Sequence, residues 1–121
     1  MQTLICLWEP NEKWHGLAKA AQLEYLKSLD ISINMMRSFG LTPLGWSQVD
    51  QSVSHAPKQG YVGLFQADSQ DKLRELTLLI QQSEWHGLFD TVYININPQG
   101  GDNSQAGKEY ARILNIEWQD S

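Results

Sequence analysis

The sequence predicts an α+β fold, one four-stranded antiparallel sheet with two helices on a single face. Three observations carry that expectation. Residues 60–97 read as strand, helix, strand: an apolar run, a leucine stripe, then an alternating run. Residues 3–49 read in the same order. The second and third strands follow one another with no helix between them, so two β-α-β units are linked by a hairpin, the β-α-β-β-α-β order of a ferredoxin-like arrangement.

Residues 3–8 are apolar on both alternations, so both faces of the sheet should be covered, and Pro10 should close the strand. Asn11 is placed to cap a short turn through Trp14, which Gly16 interrupts. A long helix is expected over residues 18–38. Leu26, Leu29, Ile33 and Met36 form its stripe, flanked by Leu23 and Phe39, with Tyr25 beside it, and Gly40 stops it. Residues 41–49 form the second strand, and Pro43 inside it points to a sheet edge. The link over residues 50–59 is polar and exceeds the usual hairpin loop of about two to five residues; long links of this kind often carry function.

Residues 61–66 are the third strand. Asp68 or Ser69 can cap the helix that follows, and Asp71 suits its positive end. Leu73, Leu76, Leu79 and Ile80 recur at helical spacing, and Gly87 is the expected stop. Over residues 91–97, Val92, Ile94 and Ile96 alternate with Thr91, Tyr93, Asn95 and Asn97, and Pro98 ends the strand. Residues 99–107 are rich in Gly and Asn, hence loop, before a short helix and a strand-like arm. The chain thus divides into a domain over residues 1–98 and a tail over residues 99–121, which is expected to exchange with a dimer partner.

A four-stranded sheet with both helices on one face leaves the other face bare in a monomer. Strands that are apolar on both alternations call for a cover. A second copy packed sheet to sheet supplies one, so a homodimer is expected. The net charge of −5, with no run of Lys and Arg, argues against nucleic acid or an anionic membrane as partner. The apolar run over residues 4–8 is too short for a span or a signal peptide, and a cytoplasmic protein is the expectation. Cys6, the single cysteine, cannot form an internal disulfide and reads as a small buried hydrophobe.

Five tryptophans are spread along the 121 residues. Trp14 and Trp46, with Tyr25, come from segments that this fold brings near one another. They suit either the wall of a pocket for a flat apolar ligand or ordinary core packing. Asn95 shares the polar side of the last strand with Tyr93 and Asn97. It reads as a pocket residue or as one that satisfies backbone groups and solvent. His55 lies in the long link with Asp50 five positions before it. Imidazole exchanges protons near neutral pH and a carboxylate can set its tautomer, so the pair is the candidate acid/base; a solvated loop histidine is the plainer reading. His15, His55 and His86 have no metal-ligand spacing. Gly101 to Lys108 has the wrong spacing for a phosphate loop, and Glu109 follows the lysine. Trp-His-Gly-Leu occurs at residues 14–17 and 85–88, at positions that are not equivalent in the two units.

The element order, the Leu44-Gly45-Trp46 string leading to Asp50 and His55, and residues 85–89 before the last strand resemble the dimeric α+β barrel superfamily. That group includes muconolactone isomerase, antibiotic-biosynthesis monooxygenases and stress-responsive barrel proteins. The resemblance covers residues 3–97. It implies a homodimer and, in each subunit, a cavity between sheet and helices for aromatic or polyketide-like compounds. It implies no shared catalytic set. By this analogy the chain is a ligand-binding barrel without cofactor, with Trp14, Tyr25, Trp46 and Asn95 holding the ligand. The alternative is a cofactor-independent monooxygenase or isomerase in which His55 acts as general acid/base and Asp50 orients it.

Overall fold

A computed structural model describes residues 2–98 and 104–119. Four strands, β1 (Gln2–Pro10), β2 (Leu41–Gln48), β3 (Tyr61–Ala67) and β4 (Phe89–Ile96), form one antiparallel sheet in the order β2-β3-β1-β4. The helices are α1 (Glu12–His15), α2 (Lys19–Arg37), α3 (Gln70–Gln82), α4 (Trp85–Leu88) and α5 (Ala106–Leu114). β1 lies between β3 and β4, and β3 lies between β1 and β2. Each long helix therefore joins two strands separated by a third.

Period-two alternation assigns the faces. In register, Leu4, Cys6 and Trp8 of β1 share the helix side with Gly63, Phe65 and Ala67 of β3, Leu41 and Trp46 of β2, and Tyr93 of β4. Leu4 and Leu73 are fully buried there, and Cys6, Leu41, Phe65, Ala67 and Leu76 complete the core. Ile5, Leu7, Val62, Leu64, Val92, Ile94 and Ile96 line the opposite side, away from the core under α2 and α3. The last three are about two-fifths exposed, at 42%, 39% and 39%.

Local signals act where the sequence places them. The Asn11 side chain accepts from the Trp14 amide at 3.1 Å and opens α1. Ser69 accepts from the Lys72 amide and opens α3. Gly40, at φ +98°, supplies the left-handed turn between α2 and β2. Pro43 sits on an edge strand, beside a register shift between Pro43 and Gly45.

Two boundaries differ from expectation. Gly87 does not stop α3. Ser83 does: its hydroxyl donates to the Ile80 carbonyl at 2.7 Å and accepts from the Trp85 amide at 3.2 Å, closing one helix and starting the next. Gly87 lies inside α4, and β4 begins at Phe89. In the tail, α5 extends to Leu114 and Asn115 ends it at φ 58°; residues 116–119 adopt no regular element in the single chain. Residues 99–103, with Gly101 of the rejected phosphate loop, lie outside the described residues.

The two Trp-His-Gly-Leu strings meet in space. The Asn11 amide donates to the Leu88 carbonyl and its side-chain amide to the Gly87 carbonyl, both at 2.9 Å, which docks α1 on α4. Phe89 lies between their tryptophans, 4.9 Å from Trp14 and 4.2 Å from Trp85, centroid to centroid.

Candidate functional site: a cavity between the helices and the sheet

The leucine stripe of α3 buries Leu73 and Leu76 against the sheet, but α2 stands off. Every one of the 19 residues of α2 stays at least partly exposed. The space under it is a cavity of about 580 Å³. Its floor is Cys6, Trp8, Trp46, Gly63 and Phe65. Tyr25, Leu29, Ile33 and Met36 of α2 form one wall and Leu76, Leu79 and Ile80 of α3 the other. Ser83, Glu84 and Trp85 border one end.

Gly63 keeps the floor low. A Cβ there would stand 3.2 Å from the Trp46 ring and from Phe65, tighter than carbon atoms normally approach. Trp46 meets Phe65 edge-on at 5.8 Å. At the other end, Trp8 stacks on Tyr61 at 4.6 Å and meets Trp85 edge-on at 5.6 Å, and the Trp85 indole N–H donates to the Thr91 hydroxyl at 2.8 Å. Aromatic side chains rotate about few bonds, so these walls are stiff.

The titratable groups of the wall are neutral except one. Burial pushes the Cys6 thiol up to about 11. Burial, and then the nearby Glu84 carboxylate, push the Tyr25 phenol up to about 12. Both therefore keep their protons at neutral pH, and among the described residues Glu84 is the one charged residue of the wall.

Of the residues expected to hold a ligand, Tyr25 and Trp46 line the cavity. Trp14 stands behind Tyr25, edge-on at 6.0 Å, and supports it rather than facing the space. Asn95 is on the helix side of β4 but outside the wall. His55 and Asp50 do not line the cavity either. Asp50 is engaged by Ser52, whose amide and hydroxyl donate at 2.9 and 2.6 Å and hold its carboxyl below the usual range. His55 is exposed at φ 64°, a left-handed conformation that a non-glycine residue adopts infrequently.

Residues 1–113 match a family of unknown function (DUF6616). The chain belongs to that family. No curated protein and no solved structure matches it. The matched span takes in the whole cavity wall of this DUF6616 chain.

Reading by sequence missed Trp8, Phe65, Glu84 and Trp85. The first two occupy strand positions that ordinary core packing explains, and Trp85 carries no signal beyond its place in the short strings before the last strand. Glu84 carried no motif. Among the described residues no three His, Cys, Asp or Glu side chains gather into a group that could hold a metal ion. None of the helices there is long and apolar enough to cross a membrane. A second titratable pair lies off the cavity: the Tyr93 hydroxyl is 2.9 Å from His86 Nε2, and burial, then Cys6, push that phenol up.

Proposed function

We propose that this chain is a homodimeric ferredoxin-like barrel of the dimeric α+β type that binds a flat, apolar small molecule, aromatic or polyketide-like, and does no chemistry on it. The cavity carries the reading. About 580 Å³ is the size of a small-molecule site, and its wall is aromatic and aliphatic with a few polar groups. An amphipathic helix normally buries its stripe. Here Leu29, Ile33 and Met36 face open space, and a ligand would complete their burial.

The ferredoxin-like assignment rests on the order β4-β1-β3-β2 with two split β-α-β units. The dimer rests on seven aliphatic residues on the side of the sheet away from α2 and α3, three of which are about two-fifths exposed in the single chain. Tyr110, Ile113, Leu114 and Ile116 are all exposed on or just after α5, which favours a tail that lies on the partner.

The absence of chemistry is favoured by the wall itself. It has no histidine, and its thiol is held protonated. The test is native mass spectrometry of freshly purified protein, followed by long incubation with whatever small molecule co-purifies or with aromatic probes. A dimer that binds and releases its ligand unchanged is expected. A converted product would overturn the non-catalytic part, failure to bind any probe the cavity part, and a monomer the dimer.

One observation favours the enzyme reading. His55 is held at positive φ, and strained backbone concentrates at functional sites. In that reading His55 is the acid/base of a cofactor-free oxygenation or isomerisation. Its position off the cavity wall, and the engagement of Asp50 by Ser52, weigh against it. Once a product is found, His55→Ala decides: unchanged turnover removes the assignment.

A further inference from the structure

We propose that the ligand is cationic: an aromatic body with a protonated amine that Glu84 receives at the rim of the cavity. This rests on the cavity reading above and goes on to name the polar head.

The serine hydroxyls and the one carboxylate of the wall act as acceptors toward a ligand, beside the donor O–H of Tyr25 and the indole N–H groups of Trp8 and Trp46. A hydroxyl has one proton to give. Ser28 gives its proton to the Tyr25 carbonyl at 3.0 Å, Ser32 gives its own to the Ser28 carbonyl at 3.1 Å, and Ser83 gives its own to the Ile80 carbonyl at 2.7 Å. What these three can offer a ligand is lone pairs. The Trp85 indole N–H is spent on Thr91. Glu84 adds a carboxylate, and among the described residues no Lys, Arg or His lines the space to balance it. A second hollow, along α2, holds Arg37, but Asp30 lines that hollow too.

The rings work in the same direction. Trp8, Tyr25, Trp46 and Trp85 all line this space, and an aromatic ring that turns its face to a ligand attracts a cation. Tyr25 and Glu84 line the same cavity, and the carboxylate adds to burial in resisting ionisation of the phenol. An anionic ligand would meet a carboxylate and lone pairs. A neutral aromatic would fill the space and leave the carboxylate to water. An aromatic amine satisfies both.

The experiment uses three probes with one ring: 2-naphthylmethylamine, 2-naphthalenemethanol and 2-naphthoate. Each is titrated into the full chain at neutral pH and low salt, and binding is read from tryptophan fluorescence. The expected order is amine, alcohol, acid, with the amine about fivefold tighter than the alcohol, the scale of one partly solvated ion pair with an aromatic contact. Glu84→Gln should collapse the difference between amine and alcohol. Circular dichroism checks its fold, which an exposed residue flanking a short helix leaves intact. Equal binding of amine and alcohol, or a preference that survives Glu84→Gln, overturns the cationic head and leaves the cavity standing. No binding of any probe overturns both.

Discussion

Replacing Ile94 with glutamate tests the dimer most directly. Ile94 pairs with Ile5, and Ile5 with Leu64, so it sits in the central row of the face away from α2 and α3. It is 39% exposed in the single chain. Full burial of such a side chain is worth about 1.5–3 kcal/mol, so covering the remaining two-fifths contributes about 1 kcal/mol. Two-fold symmetry counts it twice. Glutamate forfeits that and adds a buried, unpaired carboxylate on each copy, which costs several kcal/mol per ion. The sum is at least about 6 kcal/mol, more than four decades in Kd. In the isolated chain the same change costs only about 1 kcal/mol, the scale of strand propensity at a half-exposed site. Sedimentation velocity across the micromolar range reads the outcome. Wild type should sediment as a dimer and Ile94→Glu as a folded monomer, with Arg74→Glu on the exposed side of α3 as a dimeric control. A variant that sediments as wild type does would show that this face is not the interface.

Further outcomes follow from other parts of the fold. Gly63→Val places side-chain atoms where a Cβ already stands 3.2 Å from Trp46 and Phe65; affinity for an aromatic probe should fall at least about tenfold, measured by calorimetry, with a stability loss of about 1–3 kcal/mol from overpacking. Asn11→Ala removes the α1 cap and the hydrogen bond to Gly87, and should cost about 1–2 kcal/mol by urea unfolding. The unfolded chain loses the Cys6 proton near pH 9.0 and the folded chain near 11, so stability is unaffected below pH 9 and falls as pH rises from 9 toward 11. Tyr25 continues the loss in the same direction from its ordinary 10.0 toward about 12. Urea midpoints against pH should show the fall, and Cys6→Ala should remove its lower part. For the same reason the native thiol should resist iodoacetamide at pH 8, where about 0.1% is thiolate, until denaturant is added.

The elements were legible because their signals are local. Alternation in residues 91–97 separates Val92, Ile94 and Ile96 from Tyr93 and Asn95, and the sheet keeps that separation. Pro43 marked the edge strand, and Asn11 and Ser69 marked helix starts. Gly87 misled because a glycine after a stripe is a common stop, while Ser83 could close α3 earlier by bonding on both sides. The meeting of the two Trp-His-Gly-Leu strings was not legible. It depends on Asn11 reaching the Leu88 and Gly87 carbonyls across 76 or more residues, which no local pattern encodes.

The cavity was legible only in part, and α2 explains why. Leu26, Leu29, Ile33 and Met36 tell which side of that helix is apolar. They do not tell how far away the opposing surface lies. That distance is set by residues elsewhere in the chain. At one end Tyr25 of α2 rests near Phe89, 6.1 Å away, which Trp14 and Trp85 in turn flank. This stack of rings holds that end of α2 off the sheet. Near the middle, Gly63 gives the floor no side chain at all. A tall support beside a low floor leaves a space that the α2 stripe cannot fill by itself, because packed aromatic rings do not compress. Shortening the support should therefore close the cavity. Phe89→Leu removes ring area from the stack while keeping an apolar core residue, and α2 should settle toward Gly63. Probe affinity would then drop at least about tenfold with an overall stability change below about 1.5 kcal/mol, since the lost ring contacts are offset by new contacts under α2. A variant that lost stability by several kcal/mol and still bound the probe as wild type does would show that the stack stabilises the fold without holding the cavity open.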